Sequence, residues 1–336
     1  MVIQVAEHLT ALFSLRFEKA GSLYCMPLAS KSLSASTSST SGTDKIYEIG
    51  PVVSGPFFRS LDGIVDYATT DLHTLSSLSN TRLHSLRGPF TSAGDYLAHY
   101  LRALLFKCTE FPNETMEQLE DDEEAEGDDE DAKLESHHEK KREILQRAER
   151  VLQKAITLCG VYPGDAPVYP GASTPKQPFT LRMDDFRLVN ILVSMPTAIC
   201  YSFLLTYMQI DKDCGKVNGY IDFEGTTTAP LWLAATVPQW IPNPDGDTAS
   251  WYGGSPEDQR RVWDAFHAII DQFDVEWRKA YEYGKLFRRW ADYLELGVEA
   301  WGSEDVEQWV DARLAWASEE GNRGVPMPED NDEDVG

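Results

Sequence analysis

The chain has 336 residues, of which 42% are hydrophobic and 11% aromatic, so it is long enough to bury at least one large core. Its formal net charge of −25 argues against a nucleic-acid or anionic-membrane partner, because a phosphate-binding surface needs clustered Lys and Arg. Much of this charge lies in residues 120–131 and in the tail at 328–334, so the folded part is only moderately acidic.

The cysteines and the N-terminus indicate a compartment. An odd number of cysteines without CxxC spacing is typical of a reducing environment rather than of a disulfide framework. The first apolar stretch contains Glu7 and follows no cationic segment, so it does not fit a secretory signal peptide. We therefore expect a cytoplasmic protein with free, mostly buried thiols; its cysteines are Cys25, Cys108, Cys159, Cys200 and Cys214.

The first part of the chain predicts an amphipathic helix followed by a flexible loop. Residues 21–27 form a short apolar segment, and residues 30–43 are almost all small and polar, which predicts the loop. The helix is predicted from apolar residues at helical spacing, which are Val2, Val5, Leu9, Leu12 and Phe13.

Two further helices flank an acidic run. Apolar residues in 95–107 recur every three or four positions, which predicts one helix, and a second is predicted from about Arg142 to just before Gly160. Blocks of like charge repel and stay solvated, so residues 113–141 are predicted to be a disordered acidic insert. A specific cation site is the alternative for this run.

A small β-rich centre precedes the C-terminal helices. Residues 179–181 and 190–193 predict extended segments around a polar turn, and residues 219–223 predict another strand. The pattern is helical beyond Pro256, so the sequence predicts a mainly helical α+β fold. One apolar stripe is predicted to be core, and it consists of Trp263, Phe266, Ile269, Ile270, Phe273 and Trp277.

Three polar residues in the β-rich centre fit phosphoryl-transfer chemistry. Such a transfer needs a carboxylate to orient or deprotonate the attacking hydroxyl, and oxygen ligands for magnesium. Asp185 stands five residues before Asn190 on a loop that enters a strand, and Asp222 ends a later strand. An ordinary polar turn is the alternative, but the apolar segments on both sides favour a site.

These residues resemble the aminoglycoside phosphotransferase family, in the form common in fungi. The family's catalytic loop reads roughly His-x-Asp-x-x-x-x-Asn-Ile-Leu-Val and its metal-binding turn reads Ile-Asp-Trp-Glu, and residues 183–193 and 221–224 are similar. Further similar segments follow the family's order and cover most of the chain to about Trp290. They are Phe17 with GSLY at 21–24, IGP at 49–51, RGPF at 87–90 with DYL at 95–97, and APLW at 229–232 with Pro238 and Trp240.

The resemblance implies both a fold and a set of roles. The fold would be a protein-kinase-like C-terminal lobe with a small central β-hairpin region. The activity would be ATP-dependent phosphorylation of a hydroxyl group on a small molecule, with ATP and Mg²⁺ as cofactors. Asp185 would be the catalytic base, and Asn190 and Asp222 the magnesium ligands. Glu224 would be an acid at the edge of the site or, equally, a plain surface charge.

Three departures from the family pattern qualify this picture. Met183 stands where the family carries a loop histidine, which we expect to weaken the loop geometry. No glycine-rich strand turn or strand lysine precedes the catalytic loop, so we expect the N-terminal ATP lobe to be largely missing and ATP binding to be impaired. Residues 194–210 form an apolar insertion, which we interpret as a retained intron, an apolar loop or a membrane segment. It would be a poor membrane span, because it contains Pro196 and several hydroxyl groups.

The predicted organisation divides the chain into four parts. Residues 1–112 form the N-terminal part of the helical lobe and residues 113–141 the acidic insert. Residues 142–323 form the catalytic-loop and C-terminal helical part, and residues 324–336 a disordered acidic tail. The first hypothesis is a small-molecule phosphotransferase with impaired activity; the alternative is a non-catalytic, pseudokinase-like binding module or a truncated gene product. We expect a small-molecule partner, no nucleic acid and no membrane, and we predict no oligomeric state.

Overall fold

The fold is α+β, mainly helical with small antiparallel pairs of strands, which confirms the predicted class. The structure is a computed structural model. Several predictions concern residues outside the part it describes, among them the loop 30–43, the insertion 194–210, Asp185 and Glu224. The described residues are 1–26, 46–53, 85–119, 130–162, 178–183, 186–193, 216–222, 225–246, 254–285 and 287–328.

The helices and strands follow one another along the chain in this order. The helices are α1 (Val2–Phe13), α2 (Ala93–Glu110), α3 (Pro112–Glu117), α4 (Glu130–Cys159), α5 (Leu231–Ala234), α6 (Pro256–Phe273), α7 (Val275–Lys285), α8 (Arg288–Tyr293), α9 (Val298–Trp301) and α10 (Glu304–Ser318). The strands are β1 (Gly21–Met26), β2 (Ile46–Gly50), β3 (Phe179–Met183), β4 (Ile191–Val193), β5 (Val217–Tyr220) and β6 (Thr226–Pro230).

The chain forms two compact units, each built from separate stretches of sequence. The first consists of Met1–Phe17, Ala166–Tyr293 and Val325–Gly336, and the second of Glu18–Asp165 and Leu294–Gly324. The predicted site residues all belong to the first unit.

The core of the first unit lies between α1 and the helices α5, α6 and α7. Ala6 and Phe13 of α1 share one buried cluster with Phe266 of α6. Helix α6 begins where it does because the Ser255 side chain caps its first turn and Pro256 fits there, since an N–H is not needed at that position. Beside this core, β3 pairs antiparallel with β6, and β4 pairs antiparallel with β5.

The core of the second unit lies around α4. Helices α2, α9 and α10 pack on α4, and their contact buries apolar side chains such as Leu97 of α2 and Val151 of α4. Lys154 of α4 lies 3.1 Å from a carboxylate oxygen of Glu307 and 2.8 Å from one of Asp311, both on α10. Strand β1 pairs antiparallel with β2 in the same unit.

Two predicted boundaries in the helical parts differ from the structure. Helix α4 begins at Glu130 rather than near Arg142, and α3 also lies partly within the segment predicted as an acidic insert. Residues 130–142 are rich in Glu and Lys, which are good helix formers, so their intrinsic propensity continues the helix through charged sequence.

The predicted apolar stripe beyond Pro256 is divided between two helices. The chain leaves α6 at Asp274, and the Asp274 carboxylate accepts a hydrogen bond from the Trp277 N–H at 2.9 Å, which starts α7. Phe273 ends α6 and is 57% exposed, so its assignment to the core is wrong, whereas Phe266, Ile270 and Trp277 are buried as predicted. No helix in the described part of the chain is apolar over the length needed to cross a membrane.

Candidate functional site

The candidate site lies at one end of the short hairpin formed by β4 and β5. Ile191 pairs with Tyr220 and Leu192 with Gly219, and an irregularity follows between Leu192 and Val193. One further backbone bond extends the pairing, because the Ile221 N–H donates to the Asn190 carbonyl at 3.0 Å. This register places residue 190 beside the residues that directly follow β5.

Asn190 and Asp222, the two predicted magnesium ligands, are in contact. The Asn190 Nδ2 group donates to the Asp222 Oδ2 atom at 3.3 Å. Asn190 is buried at the end of a 3₁₀ turn (Leu188–Asn190), whereas Asp222 is exposed. The structure therefore brings together two oxygen-bearing side chains that lie 32 positions apart in the sequence.

The backbone at Asp222 explains why β5 ends earlier than the sequence predicts. Asp222 has φ 65°, in the left-handed region, where Asp is tolerated better than most residues with a Cβ atom. A left-handed residue cannot continue a strand, so the predicted strand 219–223 ends at Tyr220. The turn also directs the Asp222 side chain to Asn190 rather than along the strand alternation.

The predicted catalytic base, Asp185, lies outside the described residues, but its neighbour Phe186 is within them. The Phe186 ring lies 5.5 Å from the Tyr220 ring and 6.4 Å from the Trp240 ring, measured between centroids. Met183, which replaces the family's loop histidine, is the last residue of β3 and pairs with Thr226. Aromatic packing therefore holds Phe186 against the hairpin.

Helix α1 contacts β5 near both of its ends. The Gln4 Oε1 atom accepts a hydrogen bond from the Val217 N–H at 2.9 Å, and the Tyr220 hydroxyl lies 2.7 Å from His8 Nδ1. Between these two contacts, Val5 shares a buried apolar cluster with Ile191 and Val217. Burial raises the pKa of Tyr220 to about 12, so its hydroxyl keeps its proton at neutral pH and can act as a donor.

The other face of the hairpin is open and apolar. Leu192 and Ile221 are 47% and 48% exposed, respectively. Gly219 is paired with Leu192, and a Cβ atom built on Gly219 would meet no atom within 4 Å. Side chains alternate between the two faces of a strand, so these three residues share the face opposite Tyr220 and Ile191. They form an apolar surface beside the Asn190–Asp222 pair.

The chemistry of the pair fits a magnesium ion. With its amide nitrogen bonded to Asp222, Asn190 has its side-chain carbonyl oxygen as a possible ligand, and Asp222 has a second carboxylate oxygen. Mg²⁺ takes oxygen ligands and is usually held by one or two protein groups together with substrate phosphates and water. Among the described residues, no group of three or more His, Cys, Asp and Glu side chains could hold a metal ion.

Sequence reasoning did not find the residues around the predicted ligands. Period-two alternation through residues 191–193 and 219–221 could have indicated that Leu192, Gly219 and Ile221 share a face. The contacts of Gln4 and His8 with β5 join positions more than 200 residues apart, and no local pattern signals them.

Comparison with known proteins gave no match to a family model, to a curated protein or to a solved structure. The likeness to the aminoglycoside phosphotransferase family therefore rests on the sequence motifs alone.

Proposed function

We propose that the chain is a protein-kinase-like phosphotransferase that transfers a phosphoryl group from ATP to a hydroxyl group of a small molecule. The contact between Asn190 and Asp222 carries this proposal, because the motif spacing requires these two residues to meet. The left-handed turn at Asp222 supports it as well, since strained residues are found preferentially at functional sites.

In this proposal Asn190 and Asp222 hold the magnesium ion, which when bound neutralises charge on the phosphates. Asp185, by its place in the motif, accepts the proton of the attacking hydroxyl group. Phe186 packs against the Tyr220 ring and restrains the loop that carries this base. Leu192, Gly219 and Ile221 offer an exposed apolar surface for the purine ring of the nucleotide.

The compartment belongs to the same proposal. Cys25, Cys108 and Cys159 are free thiols, and Cys108 and Cys159 are buried. Burial raises the pKa of the Cys108 thiol to about 12, which makes the reactive thiolate rare. These unpaired cysteines in the described part of the chain favour a reducing compartment, and we propose the cytoplasm.

The first test is binding of Mg²⁺–ATP to the purified chain, measured by calorimetry. We expect binding that is at least about tenfold weaker in Asp222→Asn, which keeps the shape of the side chain and removes its charge. Asp245→Asn is the matched control, because Asp245 is an exposed carboxylate of the same unit that pairs with Arg260 rather than with a residue of the hairpin. The control is needed because a chain of net charge −25 attracts cations generally.

A non-catalytic, kinase-like binding module is the alternative, and Met183 is the observation that favours it. Wild-type protein that binds no nucleotide at millimolar Mg²⁺–ATP would support this alternative and overturn the phosphotransferase proposal. Binding that Asp222→Asn and Asp245→Asn weaken equally would show general attraction of cations and would also count against the site.

A further inference from the structure

We infer that Gln4 and His8 of α1 are positioning residues for the Asn190–Asp222 pair, because they hold β5 at both ends and so fix the turn at Asp222. This inference rests on the proposed function for its consequence, but its structural part can be tested separately.

The two residues are placed to act together. They lie four positions apart on α1, and side chains at this spacing lie one above the other on the same face of a helix. Gln4 accepts from the Val217 N–H at the first residue of β5, and His8 meets the Tyr220 hydroxyl at the last. One face of α1 thus contacts β5 along its full length. We call these two hydrogen bonds the α1 clamp.

Helix α1 is a firm support for this clamp. Val5 and Ala6 are completely buried, and Phe13 is almost so, in the clusters that α1 shares with β4, β5 and α6. A helix fixed by its buried side has little freedom to rotate or slide, because protein interiors are closely packed. The backbone positions from which Gln4 and the exposed His8 reach β5 are therefore fixed as well.

The strand needs such a support because of the residue that follows it. Asp222 is in the left-handed region, and a non-glycine residue stays there only when its surroundings hold it. Two bonds to Asn190 restrain this turn from one side, namely the backbone bond of Ile221 and the side-chain bond of Asp222. The clamp restrains it from the other side, since Tyr220 stands two positions before Asp222.

Tyr220 also connects the clamp to the loop that follows β3. Its ring lies edge-on to the His8 ring, with centroids 5.6 Å apart, and it packs on Phe186. The same side chain therefore restrains both Asp222, through the strand, and Phe186, through ring contact. A shift of Tyr220 would therefore displace Asp222 and Phe186 relative to each other.

The experiment removes each clamp bond while keeping the shape of the site. Tyr220→Phe removes the hydroxyl group and keeps the ring on Phe186, and His8→Ala removes the partner atom. His8→Asn is the rescue variant, because its side-chain amide stands close to the position of imidazole Nδ1. Gln4→Met removes the acceptor at the other end, and Gln4→Glu keeps an oxygen there. Glu7→Gln, an exposed α1 position outside the clamp, is the control.

Calorimetry then measures the affinity of each variant for Mg²⁺–ATP. The loss of affinity in Asp222→Asn is the reference, because it defines the binding that depends on the site. We expect Tyr220→Phe, His8→Ala and Gln4→Met each to weaken it about three- to tenfold, the scale of one hydrogen bond. His8→Asn and Gln4→Glu should keep the wild-type affinity, and Glu7→Gln should leave it unchanged. The double variant Tyr220→Phe with His8→Ala should lose no more affinity than either single variant, because both substitutions remove the same bond.

Affinities of the clamp variants equal to that of the wild type would overturn the inference. Losses that His8→Asn does not rescue would also contradict it, because they would reflect damage to α1 rather than loss of the bond.

If the wild type shows no affinity that depends on Asp222, the proposed function fails, and amide hydrogen exchange decides the clamp by itself. We then expect the Ile221 N–H, which bonds to the Asn190 carbonyl, to exchange faster in Tyr220→Phe and His8→Ala, while the interior amides of α1 are unchanged. Equal exchange of Ile221 in all variants would overturn the clamp.

Discussion

Asp222 has to satisfy two demands, because it carries the carboxylate of the proposed site and also adopts a left-handed backbone. Glycine meets the second demand without strain but has no carboxylate, and a β-branched residue meets neither. Asp is a compromise, since its short polar side chain is tolerated in this region. The hydrogen bond from Asn190 offsets part of the remaining cost.

A series of substitutions at Asp222 should separate these demands. We expect Asp222→Asn to change the free energy of unfolding by less than about 0.5 kcal/mol, because Asn also tolerates the left-handed region. Asp222→Val should destabilise the chain by about 1–3 kcal/mol, the cost of forcing a β-branched residue into this backbone. Asp222→Gly should lie between them or close to the wild type, because relief of strain opposes the lost hydrogen bond.

Urea unfolding at fixed pH measures this series, provided that all variants show the same dependence on urea. If Val is no worse than Gly at this position, the residue is not left-handed, and the turn that brings Asp222 to Asn190 is described wrongly.

At the scale of elements, the two ends of α9 provide a matched test of packing in the second unit. A Cβ atom added to Gly302 would lie 2.5 Å from Ile144 Cγ2 and 2.7 Å from the Ile144 carbonyl oxygen, on α4. Because one of these atoms belongs to the backbone, the helices must move to make room. Gly297, at the start of α9, has no atom within 4 Å of the same added carbon.

We therefore expect Gly302→Ala to lower the free energy of unfolding by about 1–3 kcal/mol, the usual cost of overpacking. Gly297→Ala should change it by less than about 1 kcal/mol, because its φ of −74° suits any residue and only a weak capping preference is lost. Thermal unfolding of both variants under one condition checks the difference. Equal effects would show that α9 does not approach α4 as closely as described.

The helices that the sequence predicted best are those with a long periodic pattern. Helix α1 covers Val2–Phe13 as its apolar spacing indicated, and α2 covers the predicted segment 95–107. Strands β2 (Ile46–Gly50) and β6 (Thr226–Pro230) were not predicted, whereas the similarly short β3, β4 and β5 were indicated by apolar residues beside polar turns. Boundaries failed where a single residue decides the geometry, as at Asp274 and Asp222.

The candidate site could likewise be predicted only in part from the sequence. Motif spacing predicted that Asn190 and Asp222 belong together, and the register of β4 and β5 brings them into contact. The support of this pair by α1 depends on packing between segments distant in sequence, which composition and periodicity do not specify. The role of Asp185 stays a prediction.

At the scale of the whole molecule, acid should destabilise both units through buried histidines. His99, in the second unit, is buried among Phe90, Tyr96 and Tyr100, and burial lowers its pKa to about 4. His267, in the first unit, packs against Trp263 and Tyr281, and burial likewise lowers its pKa to about 4. Each imidazole is therefore neutral in the folded chain at pH values where the unfolded chain would bind a proton.

The sign of the effect follows from proton binding. Between about pH 6.5 and pH 4 the unfolded chain binds more protons than the folded chain, so the free energy of unfolding falls as the pH falls through this window. One unit of pKa corresponds to about 1.4 kcal/mol, so His99 contributes up to roughly 3 kcal/mol, and His267, which lies nearer the surface, contributes less. Asp95 and Asp271 act at lower pH, because their arginine partners hold the pKa of each carboxyl below its ordinary value.

Urea unfolding between pH 7 and pH 4 tests this prediction in the wild type and in His99→Asn with His267→Phe. Asn at position 99 can still donate to the Tyr96 carbonyl, and Phe at position 267 fits the surrounding rings. The two substitutions should flatten the pH dependence in this window, whatever they do to stability at pH 7.

Falling pH also removes negative charge from a chain of net charge −25, which relieves repulsion and favours the folded state. That change is common to the wild type and the double variant. The difference between their slopes of unfolding free energy against pH therefore reports the two histidines alone. Equal slopes, or NMR resonances assigned to His99 or His267 that titrate near pH 6.5 in the folded wild type, would contradict the burial of these two side chains.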